Sequence, residues 1–275
     1  RIQDIHRAQR LRYMKDFKQE FYKIYNLLTD GEPFSFIRFS DGELFMLKNQ
    51  EVRLGINDYV TGSVSGPGIY TSEEQKHFLP DRDWFYRDEL IESLKHFQPN
   101  YFKGICSRTD VPEEDFLLQK KLAGSDDETY LTFANLFINS NYPLFMNNIV
   151  KYLSTTWRPI AMVLNEKCDT SKLPFKVAQE FRIGTNCLVN NYNTIKEVQT
   201  FLQGKKDWIV LCSAASLSNL IGYYCFSENP NNTIIDIGST LNPILGLEGW
   251  KYSRDYLRHY WMGQQSSYCL REEKW

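Results

Sequence analysis

The chain has 275 residues, with 32 basic and 34 acidic side chains and a formal net charge of −2, so no chain-wide basic field exists to hold a nucleic-acid backbone. At 42% hydrophobic and 15% aromatic it can bury one large core or two small ones, which excludes a disordered chain. No apolar run approaches the ~18–20 residues that cross a bilayer, and the charged start "RIQDIHRAQRLRYMKDF" lacks a signal-peptide core, so a cytoplasmic protein with no transmembrane segment is expected.

Residues 4–29 place Tyr13, Phe17, Phe21, Ile24, Tyr25 and Leu28 at three- and four-residue steps, the pattern of an amphipathic helix. "FSFIRF" then reads as a strand, "DGE" as a turn and "ELFMLKNQ" as a helix with acidic residues in its first turn. The Gly and Pro density of "NDYVTGSVSGPGIY" predicts an extended loop. "DRDWFYRDELIESLKHF" reads as a helix, "YFKGICS" as a strand, "EEDFLLQKKLAG" as a helix, and "YLTFANLFINSNYPLFMNNIVKYLST" as one aromatic-faced helix. The second half alternates more regularly: strand "RPIAMVLNE", helix "LPFKVAQEF", strand "NCLVNNY", helix "NTIKEVQTFLQ", strand "DWIVLCS", helix "ASLSNLIGYYCF", strand "NTIIDIGST". Alternation of this kind builds βαβ units around a mostly parallel, Rossmann-like sheet flanked by helices, so an α/β fold is expected. "GWKYSRDYLRHYW" closes the pattern as an aromatic and basic helix, read as packing on the body, with a membrane-surface or partner contact as the alternative. With no linker or repeat, residues 1–275 read as a single domain whose halves share a sheet, and the start on Arg1 rather than Met suits a domain excised from a longer protein.

Cys106, Cys168, Cys187, Cys212, Cys225 and Cys269 are widely spaced with no Cys-x-x-Cys, which reads as reduced core thiols. The four His are not paired at helical spacing, so a His-based metal site gets no support. Three acidic clusters remain. Asp81 and Asp83 open a helix, where Asp serves as a cap, and Asp126–Glu128 lie in a polar turn. Asp41 and Glu43 differ because a strand delivers them to the carboxyl end of a sheet, where ligands of open α/β folds bind. Two carboxylates there would repel a diphosphate unless a cation lay between, and hard ions such as Mg²⁺ or Mn²⁺ take one or two carboxylates plus phosphate oxygens. Gly42 would let the backbone approach the ligand closely, and Arg38 could hold a phosphate or fix the carboxylates. The plain alternative is an ordinary Asp-Gly turn with an ordinary ion-pair partner.

Arg38-Phe39-Ser40-Asp41-Gly42-Glu43, after a strand and before a helix, resembles the R-F-G-D-G-E signature of the GT-D structural class of glycosyltransferases. "WIVLCSAAS" and "TIIDIGSTLNPILG" are similar to that family's late strands. The resemblance implies a hexosyl- or pentosyltransferase that takes a sugar from a nucleotide sugar, usually a UDP-sugar, to a carbohydrate acceptor. It further implies that Asp41 and Glu43 hold the Mn²⁺ or Mg²⁺ and that Arg38 shapes the site. Ser40 replaces a Gly of the signature. Ser239 stands where the family often has His, so a role for that His is not inherited.

Ser213 and Ser216 flank a compact turn before a helix, which could seat a phosphate or ribose or could simply allow close packing. Asp236, in a strand that should be buried, is a site residue or an ion-pair member. Ser239, Thr240 or Asn242 could hydrogen-bond a phosphate, although loop polarity alone would also explain them. Asn135 and Asn139 read as local hydrogen-bonding groups, with sugar contact the alternative. An inverting transfer would need a carboxylate base, for which Asp58, Asp110, Asp236 and Glu248 are candidates. No G-x-G-x-x-G opens a helix after a strand, which weighs against a Rossmann-type methyltransferase or dehydrogenase, and no Gly-Lys-Ser/Thr exists for a P-loop. A non-catalytic carbohydrate-binding module is the remaining alternative.

Overall fold

The computed structural model describes residues 14–54, 75–124, 127–264 and 271–275. Seven strands form one all-parallel sheet: β1 (Ser35–Phe39), β4 (Tyr101–Ile105), β5 (Leu131–Phe133), β6 (Ile160–Asn165), β7 (Gln179–Ile183), β8 (Ile209–Cys212) and β9 (Thr233–Asp236). Their spatial order is β5-β4-β1-β9-β8-β6-β7, so the two halves of the chain do share a sheet. β2 (Val52–Leu54) and β3 (Lys76–Phe78) pair antiparallel as a separate ribbon. Parallel strands covered by helices on both faces read as unbroken apolar runs, and Ile160–Leu164 and Ile209–Cys212 are buried throughout.

The helices are α1 (Phe17–Thr29), α2 (Asp41–Leu47), α3 (Pro80–Lys95), α4 (Glu113–Leu122), α5 (Tyr142–Leu144), α6 (Lys151–Thr155), α7 (Cys187–Asn190), α8 (Thr194–Leu202), α9 (Leu217–Glu228), α10 (Trp250–Ser253) and α11 (Asp255–Met262). α1 buries Phe17, Phe21, Ile24 and Leu28, the stripe its spacing predicted, and begins where Asp16 accepts a hydrogen bond from Gln19 N at 2.7 Å. The part of that predicted helix before residue 14 lies outside the described residues, as does the whole of the predicted loop 57–70. α9 lies against β1 so closely that a β-carbon on Gly222 would fall 2.3 Å from Ile37 Cγ2, which leaves room only for glycine.

Three expected elements differ. Residues 173–181 do not form a helix: they bend and then enter β7 at Gln179, with Leu173 and Phe175 buried at alternate positions rather than at helical spacing. Residues 186–192 are not a strand. Asn186 takes a left-handed φ of 48° and starts the single turn α7, which is too short to display a helical period. Residues 130–155 are not one helix either: Leu131–Phe133 pair with β4, and helix begins only at Tyr142, with a π-helical stretch Phe145–Val150 joining α5 to α6. There the parallel pairing of β5 overrides the local pattern. The aromatic and basic closing helix is likewise split, at Arg254, into α10 and α11.

Cys106, Cys168, Cys187, Cys212 and Cys225 are free and buried, as expected of core thiols, and Cys269 lies outside the described residues. No helix among the described residues is long and apolar enough to cross a membrane. Asp83 caps as expected: its Oδ2 accepts from Leu79 N at 2.9 Å and it pairs with Arg82, at a kink inside α3.

Candidate active site

β1 is an interior strand, flanked by β4 and by the central strand β9, and the order of the sheet reverses beside it. Loops leaving the carboxyl ends of β1 and β9 therefore diverge and open a crevice, the usual ligand position in such sheets. Asp41, Gly42 and Glu43 form the first turn of α2 at that point.

The two carboxylates are held differently. Asp41 is exposed, and its Oδ1 accepts from Gly42 N at 2.9 Å. Glu43 is 4% exposed. Its Oε2 accepts from Ser40 N at 3.1 Å and Ser40 Oγ at 2.9 Å, a reciprocal cap of α2, and its Oε1 accepts from Ser216 Oγ at 2.5 Å. Burial works to raise the Glu43 carboxyl, but the Lys76 ammonium, the Ser216 and Ser40 hydroxyls and Arg38 outweigh it and hold the carboxyl below its ordinary value. Glu43 is thus an anchored anion. Gly42 lies within the helix, and a β-carbon there would meet only Lys76 Nζ, at 3.9 Å. Its use is open space rather than a special backbone conformation.

Arg38 makes its ion pair with neither of the two but with Asp236. Its Nε lies 3.3 Å from Asp236 Oδ2 across the β1–β9 seam, and Nη1 donates to Ala134 O at 3.4 Å. Asp236 also accepts from Gly238 N at 2.9 Å. Burial pushes the Asp236 carboxyl up, while Arg38 beside it favours the charged form. Gly238 has φ of 52°, and a β-carbon would sit 2.4 Å from Arg38 Nη2, so glycine is needed there for both backbone and space.

The serines expected at phosphate serve as ties. Ser213 Oγ donates to Gly238 O at 2.7 Å, and buried Ser216 reaches Glu43, so the β8–α9 turn is fastened to both the β9 and β1 turns. Ser239 Oγ lies 2.7 Å from Tyr256 Oη and accepts from Arg254 Nε at 3.1 Å, which brings α11 over the end of β9. The candidate groups thus converge on one sheet end, with Asp41 facing solvent and Glu43, Asp236 and Ser216 buried.

A second acidic group lies beyond β4. Ser107 donates to Asp110 and Glu273, Asn135 Nδ2 donates to Asp110 Oδ2 at 2.8 Å, Asn139 Nδ2 donates to Glu273 Oε1 at 2.7 Å, and Arg271 Nη2 lies 2.8 Å from Asp110 Oδ1. Asn135 and Asn139 thus hydrogen-bond carboxylates distant in sequence rather than local groups. Burial, reinforced by Glu273, raises the Asp110 carboxyl to about 7. The buried Cys106 thiol, pushed up by burial, is pushed further by Asp110, Asp41 and Glu43, so both acidic groups face it. A carboxyl raised in the folded state adds stability that is complete below its unfolded value near 4 and lost as pH rises through about 7. The melting temperature is thus expected to fall between about pH 4 and 7, and Asp110→Asn to flatten that decline. An equal slope in the variant would assign the dependence to other groups.

Sequence reasoning missed Lys76, Tyr256, Arg254 and Glu273. Lys76 sits in "EEQKHF", whose polar composition reads as loop, and Glu273 reaches the site only through the path of the chain terminus. Arg254 and Tyr256 lie on the segment expected only to pack.

The donor set suits a hard divalent cation. Asp41 is open, and a carboxylate offers about four lone-pair sites, of which the three hydrogen bonds to Glu43 leave one on Oε1. Among the described residues no group of three or more His, Cys, Asp or Glu gathers, so the remaining ligands would come from substrate and water.

No protein-family model and no curated protein matches the chain. Solved structures do. A structure described as "A New Glycosyltransferase (DUF1792) from Streptococcus sanguinis" superposes with TM-score 0.52 at 13% identity, covering 90% of this chain and 84% of that one. A second, described by "the highly conserved domain of unknown function 1792 has a distinct glycosyltransferase fold", gives TM-score 0.52 at 10% identity over 88% of this chain and 80% of that one. The fold expected from the Arg38–Glu43 stretch is borne out: this chain has the DUF1792 glycosyltransferase fold.

Proposed function

We propose that the protein is a metal-dependent glycosyltransferase that moves a sugar from a nucleotide sugar, a UDP-sugar, to a glycan or glycoprotein acceptor. The observation that carries this reading is the Asp41 and Glu43 pair on the first turn after β1, one open and one anchored, in a fold shared with a glycosyltransferase. Asp41 and Glu43 would hold Mn²⁺ or Mg²⁺, which when bound offsets charge on the diphosphate leaving group. In the transfer, the bond from the sugar anomeric carbon to the diphosphate breaks and its electron pair stays on the phosphate oxygen. The acceptor oxygen forms the new bond and its proton passes to a base.

Of the carboxylates expected as that base, Asp58 lies outside the described residues and Glu248 is exposed and paired with Lys251. Asp236 is committed to Arg38 and better suited to hold that guanidinium at the seam. Asp110, at the same sheet end and raised to about 7, has the proton affinity a base working near neutrality needs. Ser216 acts on Glu43, Ser213 and Ser239 hold the turns around the crevice, and Gly42 keeps it open.

The test is a thermal-shift and calorimetric titration with UDP and GDP, with and without Mn²⁺. Metal-dependent stabilisation by UDP that Asp41→Ala removes is the expected result. Unchanged melting with both nucleotides at millimolar metal would sink the reading. Stabilisation by free glycan alone would favour a binding module instead.

A further inference from the structure

Lys76 carries a charge that the carboxylate pair does not explain. It lies on β3, opposite Leu54 in the antiparallel ribbon. Asn186 clamps the backbone on both sides of it: Asn186 N donates to Gln75 O at 2.8 Å, and Asn186 Oδ1 accepts from His77 N at 3.0 Å. The strand is therefore fastened at this residue. The side chain runs to the first turn of α2, where Nζ lies 3.9 Å from the place a β-carbon of Gly42 would occupy. Gly42, Lys76, Asn186, Ala215 and Ser216 line one narrow cleft of about 30 Å³, too small for a nucleobase and bounded by the turns after β1 and β8. Its ammonium makes no ion pair or hydrogen bond among the described residues, although it is half-buried. A cation that is positioned by its backbone, makes no contact ion pair and reaches the Gly42 turn, where it acts on Glu43 only at a distance, is arranged to meet an anion from outside.

We propose that Lys76 is a binding residue for the diphosphate of the nucleotide sugar, supplying fixed positive charge beside Gly42 that does not depend on a metal ion. The proposal rests on the transferase reading and extends it. Lys76 also keeps Glu43 ionised, so charge on the two sides of the cleft is balanced before any ligand arrives. A lysine serves here as a point charge, able to follow the diphosphate as charge builds on its bridging oxygen.

The experiment is calorimetric titration of UDP and inorganic pyrophosphate, in EDTA and in Mn²⁺, on the wild type, Lys76→Met and Lys76→Arg. Weak binding of both probes by the wild type in EDTA is expected. Lys76→Met should weaken it by about tenfold, the scale of one charge-assisted contact, and Lys76→Arg should largely retain it. If Lys76→Met binds like the wild type in both buffers while the wild type binds UDP with Mn²⁺, this proposal fails and the transferase reading stands. Wild-type binding seen only with Mn²⁺ overturns the metal-independent charge. No binding of UDP under either condition overturns both.

Discussion

Arg38→Met is expected to destabilise the fold by about 3–5 kcal/mol, read as a lowered urea midpoint at unchanged m-value. The expectation follows from the asymmetry of buried ion pairs. Asp236 is 3% exposed, and without the guanidinium 3.3 Å away its carboxylate would keep only the Gly238 N–H. Left unpaired it must either bind a proton or remain charged away from water, and both cost free energy. The double variant Arg38→Met/Asp236→Asn should recover much of the loss, because the stranded charge is then gone. A loss under about 1 kcal/mol for the single variant would mean that the pair is solvated like a surface pair. The result bears on function, because the same guanidinium ties β1 to β9 at the seam where the crevice opens.

That pairing also shows what the sequence could and could not disclose. Asp236 in "IIDIG" is legible as a buried carboxylate that needs a partner, since apolar residues surround it in a strand. Arg38, equally legible as a site residue, was assigned to phosphate or to Asp41 and Glu43. Only the adjacency of β1 and β9, strands separated by almost the whole chain, selects its partner. β6 and β8 were legible because buried parallel strands read as nearly continuous apolar runs. Segments 173–181 and 186–192 were exchanged in type because each is short and half-covered, so period and apolar content disagree. Leu131–Phe133 becomes a strand only by pairing with β4, a contact that local pattern does not encode.

The site follows the same division. Asp41, Gly42 and Glu43 could be found because they are contiguous and follow a strand. Their difference in role could not: Glu43 is buried by Ser216 from the β8–α9 turn, 173 residues away in sequence, and charged by Lys76 from the β2–β3 ribbon. Lys76 had no local signature at all, being one lysine among 32 basic residues. Cooperation between distant turns is what converts a common acidic dipeptide spacing into a defined site.

Glu43→Gln is accordingly expected to separate structure from function. Each carboxylate oxygen of Glu43 accepts hydrogen bonds, and an amide keeps one of the two as an acceptor. With its oxygen toward Ser40 N and Oγ, the amide nitrogen can donate to Ser216 Oγ, whose hydroxyl is free to turn and accept. The cap of α2 survives, so the stability cost should be about 1 kcal/mol. The negative charge does not survive, and neither does the affinity for a hard cation that an anionic oxygen provides. Turnover of a UDP-sugar with Mn²⁺ should fall about 10²-fold or more, the scale for losing one preorganised electrostatic element. Lys76, no longer facing an anion, should then hold UDP in EDTA at least as tightly as in the wild type. Glu43→Ala differs in kind, because it strands Ser40 N and leaves a cavity, and a melting loss of several degrees is expected with it. Comparable melting losses in the Gln and Ala variants, with turnover following stability, would reduce Glu43 to a helix cap and leave Asp41 as the sole acidic ligand of the turn.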